Sequence, residues 1–315
     1  MNCTIEMAIQ QFLIDQELKG NTAKTIKNYR SNIEYFADHV GKNTLVSNIR
    51  LSDLKNYLIT LRSRPKLINH RFKPKQEKPL TTISIQSYIR HLRVFLKWLY
   101  AEGYIVENLQ EQFKLPKAMK KTIEILSDEE IERLMKVMKQ NTEMGIRNTC
   151  IVALMLDCGL RRNEVLQLEY DNIHMSQGSI KVLGKGQKER IVPIGLYTKK
   201  LLMKYISGFR SLPECETKRL FVDKNYKPMS DSALKQLFVR LKNRTKISRL
   251  HPHILRHTFA TKYLMNGGDV FSLQQILGHT SLEMVRRYSH LASAYVIDRH
   301  KKFSPLDNIH SKREK

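Results

Sequence analysis

Apolar residues in the first hundred positions recur at helical spacing in four successive stretches, which short connections separate. The stretches begin near Met7, Ile26, Leu54 and Ile85. An amphipathic helix must bury its apolar face against a neighbour, and four such helices with short connections favour a bundle. The sequence therefore predicts a four-helix bundle over residues 1–113.

A basic segment with a proline and no periodicity follows, and it predicts a linker over residues 114–125. Ser127 with Glu130 three residues later is the signature of a capping box, so a new helix is expected there. Further on, two β-like stretches, Ser179–Leu183 and Arg190–Ile194, flank a turn with two glycines. The second part, residues 126–302, is predicted to be mostly α with a small antiparallel sheet, and residues 303–315 are predicted to form a basic tail.

The net charge of the chain limits the classes of partner that it is expected to bind. The 315 residues contain 55 Lys and Arg against 30 Asp and Glu, a formal net charge of +25, and both parts of the chain share the surplus. A surplus of this size favours a polyanion. A membrane is disfavoured, because no apolar run approaches the roughly 20 residues of a spanning helix and no basic amphipathic helix stands out. Nucleic acid is therefore the expected partner.

The cysteines and the N-terminus indicate the compartment. The four cysteines are scattered without a CxxC pair, and the first residues lack the basic start and apolar core of a secretory signal. Neither a zinc site nor a disulfide framework is indicated. A reducing, cytoplasmic setting is the expectation.

One basic stretch interrupts the predicted bundle. Arg62 to Lys78 contains seven basic residues and one acid, Glu77. A solvated loop and a contact with the DNA backbone are both open interpretations of it. Lys73, Lys75 and Lys78 are its candidate DNA contacts.

Five short segments of the second part carry polar groups that a core does not need. They are Gly159–Glu164, the turn with Lys185, His253–His257, Leu277–His279 and Tyr288–His290. His253 and Arg256 lie three positions apart, so a helix would place them on one face. Arginines, a lysine and histidines that converge would repel one another without an anion, and phosphate is the obvious candidate. A nearby tyrosine supplies a nucleophile that can form a covalent phosphodiester.

The order and spacing of these segments resemble the tyrosine recombinase (phage integrase) family, and most closely its Xer-type members. That family is marked by G-L-R-x-x-E, G-K-G-x-x-x-R, H-x-x-R-H, L-G-H and a tyrosine nine residues after that histidine. The corresponding positions here are Gly159–Glu164, Gly184–Arg190, His253–His257, Leu277–His279 and Tyr288. More weakly, Thr25–Tyr29 in the predicted bundle is similar to the SAM-like core-site-binding domain of the family. The fold that the resemblance implies is that of a tyrosine recombinase, a helical core-binding domain followed by a mainly α catalytic domain.

The resemblance also implies a reaction. Tyr288 would attack a DNA phosphate and leave a 3′-phosphotyrosyl link and a free 5′-hydroxyl. Arg161 and Arg256 would hold the non-bridging oxygens and stabilise the transition state. Lys185 would protonate the leaving 5′-oxygen as the general acid.

The remaining candidates have supporting roles in this interpretation. His253 would act as general base or phosphate ligand, and His279 would donate a hydrogen bond to the phosphate. Glu164 would orient an arginine or His253 without touching DNA. Arg162 and Arg190 are further candidate DNA contacts. No metal and no nucleotide cofactor are implied.

The expected partner is double-stranded DNA with inverted-repeat core sites, bound by a homotetramer, with a monomer in solution left open. Residues 291–297 are apolar enough to dock on a neighbouring protomer or on their own domain. Two alternatives stand beside site-specific recombination. A type IB topoisomerase uses the same chemistry to relax supercoils, and a non-catalytic DNA-binding regulator could use the same scaffold.

Overall fold

The computed structural model describes residues 3–66, 76–117, 123–184, 188–210, 217–278, 300 and 304–306. The chain divides into two compact units, Met1–Lys121 and Thr122–Lys315. That division lies inside the segment 114–125. Within the described ranges, no helix combines the length and the apolar character needed to cross a membrane.

The first unit is helical, as its periodicity predicts. Its helices are α1 (Ile5–Leu18), α2 (Ala23–Val40), α3 (Leu51–Ser63), α4 (Thr82–Ala101) and the short α5 (Leu109–Gln112), with a 3-10 turn at Val46–Asn48. Threonine hydroxyls at Thr4, Thr22 and Thr81 accept backbone N–H groups at the starts of α1, α2 and α4. Such caps satisfy amide groups that have no partner within the helix. The four long helices confirm the predicted bundle, and α5 is an addition to it.

Aromatic rings fill the centre of this bundle. The Phe12 ring lies 5.3 Å from Tyr29, 5.4 Å from Phe95 and 5.6 Å from Trp98, all measured between ring centroids and all edge-to-face. This is the geometry that aromatic quadrupoles prefer. Three helices are therefore joined through one side chain of α1.

The basic stretch after α3 begins and ends as a β-ribbon. Strands β1 (Pro65–Lys66) and β2 (Gln76–Pro79) pair antiparallel, with Pro65 opposite Pro79. The guanidinium of Arg64 lies 3.6 Å from the ring centroid of Tyr35 and so fixes the base of the ribbon by a cation–π contact. Lys78 is exposed on β2, whereas Lys73 and Lys75 lie outside the described residues. Prolines and the lack of alternation conceal these strands in the sequence.

In the residues that the structure describes, the second unit combines helices with a small sheet, which confirms the predicted class. Its helices are α6 (Asp128–Lys136), α7 (Glu143–Asp157), α8 (Arg162–Gln167), α9 (Leu196–Gly208), α10 (Asp231–Thr245), α11 (Pro252–Met265) and α12 (Val270–Leu277), with a 3-10 turn at Tyr170–Asn172. The antiparallel sheet has the order β3 (Ile173–His174), β4 (Ser179–Leu183), β5 (Glu189–Pro193). Strand β3 was not expected.

Helix α7 is the centre of the second unit. Its residues from Thr149 to Met155 are all buried, because this stretch is apolar on every face. It packs against α8, α9 and α11, while α12 packs against α11 and β5. The start of α8 and the ends of α7 and α12 are thereby brought to α11.

Gly159, just after the end of α7, allows α11 and α12 to pack closely against this point of the chain. Its φ is +63°, and a Cβ built there would lie 2.4 Å from Cδ1 of Phe259 and 2.9 Å from Cδ2 of Leu277. Both the left-handed backbone and the missing side chain are therefore needed.

We expect Gly159→Ala to lower the free energy of unfolding of the second unit by about 3 kcal/mol, from left-handed strain and overpacking together. Gly178→Ala is the matched control, because Gly178 has φ +62° but its nearest contact is 4.0 Å away. The control should cost about 1 kcal/mol, the strain alone. Urea unfolding followed by circular dichroism measures both values, and equal losses would contradict the contact argument.

Candidate active site

Arg161 is held at the start of α8 by the glutamate of the same turn. Its backbone N–H donates to Oε2 of Glu164 over 2.7 Å, and its Nη1 donates to Oε1 over 2.8 Å. The side chain is nevertheless 35% exposed. The carboxylate therefore fixes one edge of a guanidinium that still reaches solvent.

Arg256 is buried on α11 and joins the ends of two helices. Its Nη1 donates to the carbonyl of Gly159 over 2.5 Å, and its Nη2 donates to the carbonyl of Leu277 over 2.7 Å. Carbonyls at helix C-termini lack partners and carry partial negative charge, so a buried cation is stabilised there. Arg256 thus binds the ends of both α7 and α12.

The two arginines converge. Arg161 donates through Nη2 to the carbonyl of Gly278 over 3.5 Å, one residue beyond the carbonyl that Arg256 contacts. Two side chains that are distant in sequence therefore meet at the end of α12. The structure brings together the pair that the sequence assigns to one phosphate.

Glu164 is the anion at the centre of this cluster. It is buried, and Nη1 and Nη2 of Arg190 each donate to it over 2.9 Å. Burial alone would raise its pKa, but the hydrogen bonds and charge of Arg190, followed by the contacts from Arg161, lower the pKa to about 2. Glu164 is therefore ionised at neutral pH, and its partners are arginines.

His253 lies near the start of α11. Its pKa is lowered, first by desolvation and then by the positive charges of His251, Arg162 and Arg256. The imidazole is therefore neutral at pH 7 and able to accept a proton. His251, a residue that sequence reasoning did not select, accepts the backbone N–H of Ile254 and caps α11.

Two candidate DNA contacts of the second unit have partners inside that unit. Nε of Arg162 lies 2.9 Å from Oδ1 of Asp231, on α10. Arg190 donates to Glu164 and, through Nε, to the carbonyl of Ile276 over 2.7 Å. The sequence motif G-K-G-x-x-x-R signalled Arg190 but not this inward role.

Three of the predicted catalytic residues, Lys185, His279 and Tyr288, lie outside the described residues. The residues that precede two of them are described. Gly184 donates its N–H to the carbonyl of Lys188 and so closes the β4–β5 hairpin. Gly278 ends α12 in the left-handed conformation, with φ +61°. The roles assigned to Lys185, His279 and Tyr288 remain predictions.

Comparison with known proteins finds a matching phage integrase family model for each of the two units. The model of the phage integrase family matches residues 124–294, and that of the phage integrase SAM-like domain matches residues 7–115. The chain is 30% identical to tyrosine recombinase XerD of Oceanobacillus iheyensis, over 96% of this chain and 99% of that protein. It is 29% identical to tyrosine recombinase XerC of the same organism, over 96% and 98%.

Solved structures share the fold. The Tn1549 transposon integrase in complex with transposon right end DNA matches with a TM-score of 0.76 at 16% identity, over 96% of this chain and 100% of that one. A lambda integrase dimer bound to a core site matches with a TM-score of 0.70 at 17% identity, over 91% and 95%.

Proposed function

Since the chain belongs to the phage integrase family and is a tyrosine recombinase, we propose that it cleaves and rejoins DNA at specific sites. The proposed intermediate is a 3′-phosphotyrosyl link to Tyr288. The observation that carries the proposal is the convergence of Arg161 and Arg256 on consecutive carbonyls at the end of α12. Two guanidiniums so placed suit the non-bridging oxygens of one phosphodiester.

The proposed step is an in-line displacement at phosphorus. The Tyr288 oxygen forms a bond to the phosphorus, the bond to the 5′-oxygen breaks, and Lys185 gives its proton to that oxygen. Arg161 and Arg256 stabilise the charge that accumulates on the non-bridging oxygens. Neutral His253 takes the phenol proton or contacts the phosphate, and His279 donates a hydrogen bond. A 5′-hydroxyl from a partner strand reverses the step, so the bond energy is conserved.

Capture of the covalent adduct tests this function. The protein is incubated in EDTA with duplexes that carry random sequence around a nick, so that the short strand released by cleavage diffuses away. We expect an adduct that survives denaturing detergent, and its attached DNA should share inverted-repeat half-sites. No adduct would overturn the proposal. Adducts without any shared sequence would favour a type IB topoisomerase instead.

Lys185→Ala tests the general acid. Cleavage at an ordinary 5′-oxygen should slow by about 100-fold or more, because the alkoxide must leave without a proton. A 5′-bridging phosphorothiolate should be cleaved almost normally, since its sulfur leaves without protonation.

Single-turnover rates of adduct formation on both substrates measure the difference. Lys181→Ala in the same hairpin is the control, because Lys181 pairs with Glu189 on the neighbouring strand. Equal slowing of both substrates by Lys185→Ala would contradict its role as the acid.

The assembly on DNA is proposed to be a homotetramer. Exchange between two duplexes requires four strand cleavages, and the apolar residues 291–297 offer a segment for docking on a neighbour. Light scattering of the protein on a captured intact site checks this, with four protomers for two duplexes as the expected mass. The cytoplasmic location remains a prediction from the sequence.

A further inference from the structure

Three arginines from separate elements donate hydrogen bonds to three consecutive backbone carbonyls. Arg190 of β5 donates to Ile276, Arg256 of α11 to Leu277, and Arg161 at the start of α8 to Gly278. The C-terminus of α12 is thereby fixed from several sides. Two of these arginines are the proposed phosphate ligands, and the third has no assigned part in the reaction.

Arg190 donates hydrogen bonds to Glu164, the same carboxylate that holds Arg161. Both of its Nη atoms donate to the two oxygens of Glu164, and the same carboxylate receives the backbone N–H and the Nη1 of Arg161. Glu164 and Arg190 are both largely buried, with side chains 5% and 11% exposed. In a buried pair the geometry of each member constrains the other, since an unpaired charge there is costly.

Arg190 also lies against the turns that precede Lys185 and His279. A Cβ at Gly278 would be 3.0 Å from Cδ and 3.2 Å from Nε of Arg190, and one at Gly184 would be 3.6 Å from Nη1. Glycine at position 278 is favoured by its φ of +61°, and a side chain there would press closely on Arg190. One side chain therefore binds Glu164 and occupies the space beside both glycines.

We propose that Arg190 is a positioning residue for the cleavage step: through Glu164 it fixes the guanidinium of Arg161, and through the carbonyl of Ile276 it fixes the end of α12, the helix that precedes His279. The proposal rests on the proposed function. It replaces the expectation that Arg190 contacts DNA, because Nε and both Nη atoms already donate within the unit.

Two measurements distinguish a positioning role of Arg190 from a DNA contact: the single-turnover rate of cleavage and the dissociation constant for DNA. On a duplex captured by the wild-type protein, Arg190→Met should slow adduct formation by about 10-fold to 100-fold, the usual cost of losing a supporting contact. The dissociation constant for DNA should change less than about twofold, because no phosphate contact is lost. Arg190→Lys should keep the fold but not the bidentate geometry, and should also be slow.

The pH profile gives a second readout. The charges that act on Glu164 are those of Arg190 and Arg161. Without Arg190 the pKa of Glu164 rises, so cleavage by Arg190→Met should fall between pH 6 and pH 4 more steeply than cleavage by the wild type. The positive charges of Arg161, Arg162 and Arg256 also lower the pKa of His253 on α11. His253 is present in both proteins, so the difference between their two pH profiles reports on Glu164. Guanidinium ion should partly restore the variant, and sodium at the same ionic strength should not.

Arg210→Met is the matched control for a purely structural loss. Arg210 is buried in the same unit and donates to the carbonyls of Thr217, Arg219 and Leu220. An Arg190→Met rate and pH profile like those of the control, or a loss of DNA affinity at an unchanged cleavage rate, would overturn the positioning role alone. Absence of any adduct from the wild-type protein would instead overturn the proposed function and this role with it.

Discussion

Tyr288→Phe is expected to abolish the covalent protein–DNA adduct while DNA binding stays within about twofold of the wild type. Phenylalanine keeps the ring but lacks the oxygen that forms the bond to phosphorus. In the proposed mechanism that oxygen is the nucleophile, so we expect complete loss of the adduct and not a slower rate. Gel electrophoresis of the captured nicked duplex under denaturing conditions measures it.

Tyr295→Phe is the matched control, because Tyr295 lies seven positions further along the same segment. That variant should form the adduct at a rate close to the wild type. An adduct that survives Tyr288→Phe and disappears with Tyr295→Phe would contradict the assignment of the nucleophile and leave the reaction class intact.

Arg256→Met is expected to slow adduct formation by about 1,000-fold or more, as arginines that stabilise phosphoryl transition states do. The side chain also binds the carbonyls of Gly159 and Leu277, so its removal leaves two helix ends without their buried cation. Part of the loss therefore comes from the geometry of the site. Arg256→Lys should recover little, because an ammonium cannot donate to both carbonyls in the planar arrangement.

Arg147→Met separates catalysis from stability. Arg147 has the same 5% exposure as Arg256 and donates to the carbonyl of Val222. Both variants should lower the melting temperature, but only Arg256→Met should lower the cleavage rate at a temperature where each is folded. Equal cleavage rates for the two would contradict a direct part for Arg256 in the reaction.

The fold was largely predictable because local patterns and tertiary packing agree. The capping box at Ser127 and Glu130 forms as expected at the start of α6. Strands β4 and β5 pair across the predicted glycine turn. Elements with weak local signals were missed, among them the two-residue strand β3 and the ribbon of β1 and β2, which tertiary contacts define.

The candidate site was predictable in its members but not in its internal contacts. Motif order selected Arg161, Glu164 and Arg256, and the structure places them together. Spacing along the chain carries no information on which carbonyl an arginine faces. The hydrogen bonds of Arg190 to Ile276 and Glu164 could therefore not be deduced from the sequence. The same holds for the pairing of Arg162 with Asp231, since these residues belong to separate helices.

The chemical identity of the link between protein and DNA decides whether Tyr288 is the nucleophile of the proposed reaction. The captured adduct is digested with nuclease and trypsin, and the modified peptide is sequenced by mass spectrometry. Trypsin should release residues 288–299, which contain both Tyr288 and Tyr295, so fragmentation must place the nucleotide on one of them. The expected result is a nucleotide joined through its 3′-phosphate to Tyr288, with a free 5′-hydroxyl on the released strand. A link to another residue, or a 5′-phosphate on the protein, would contradict the proposed cleavage by Tyr288.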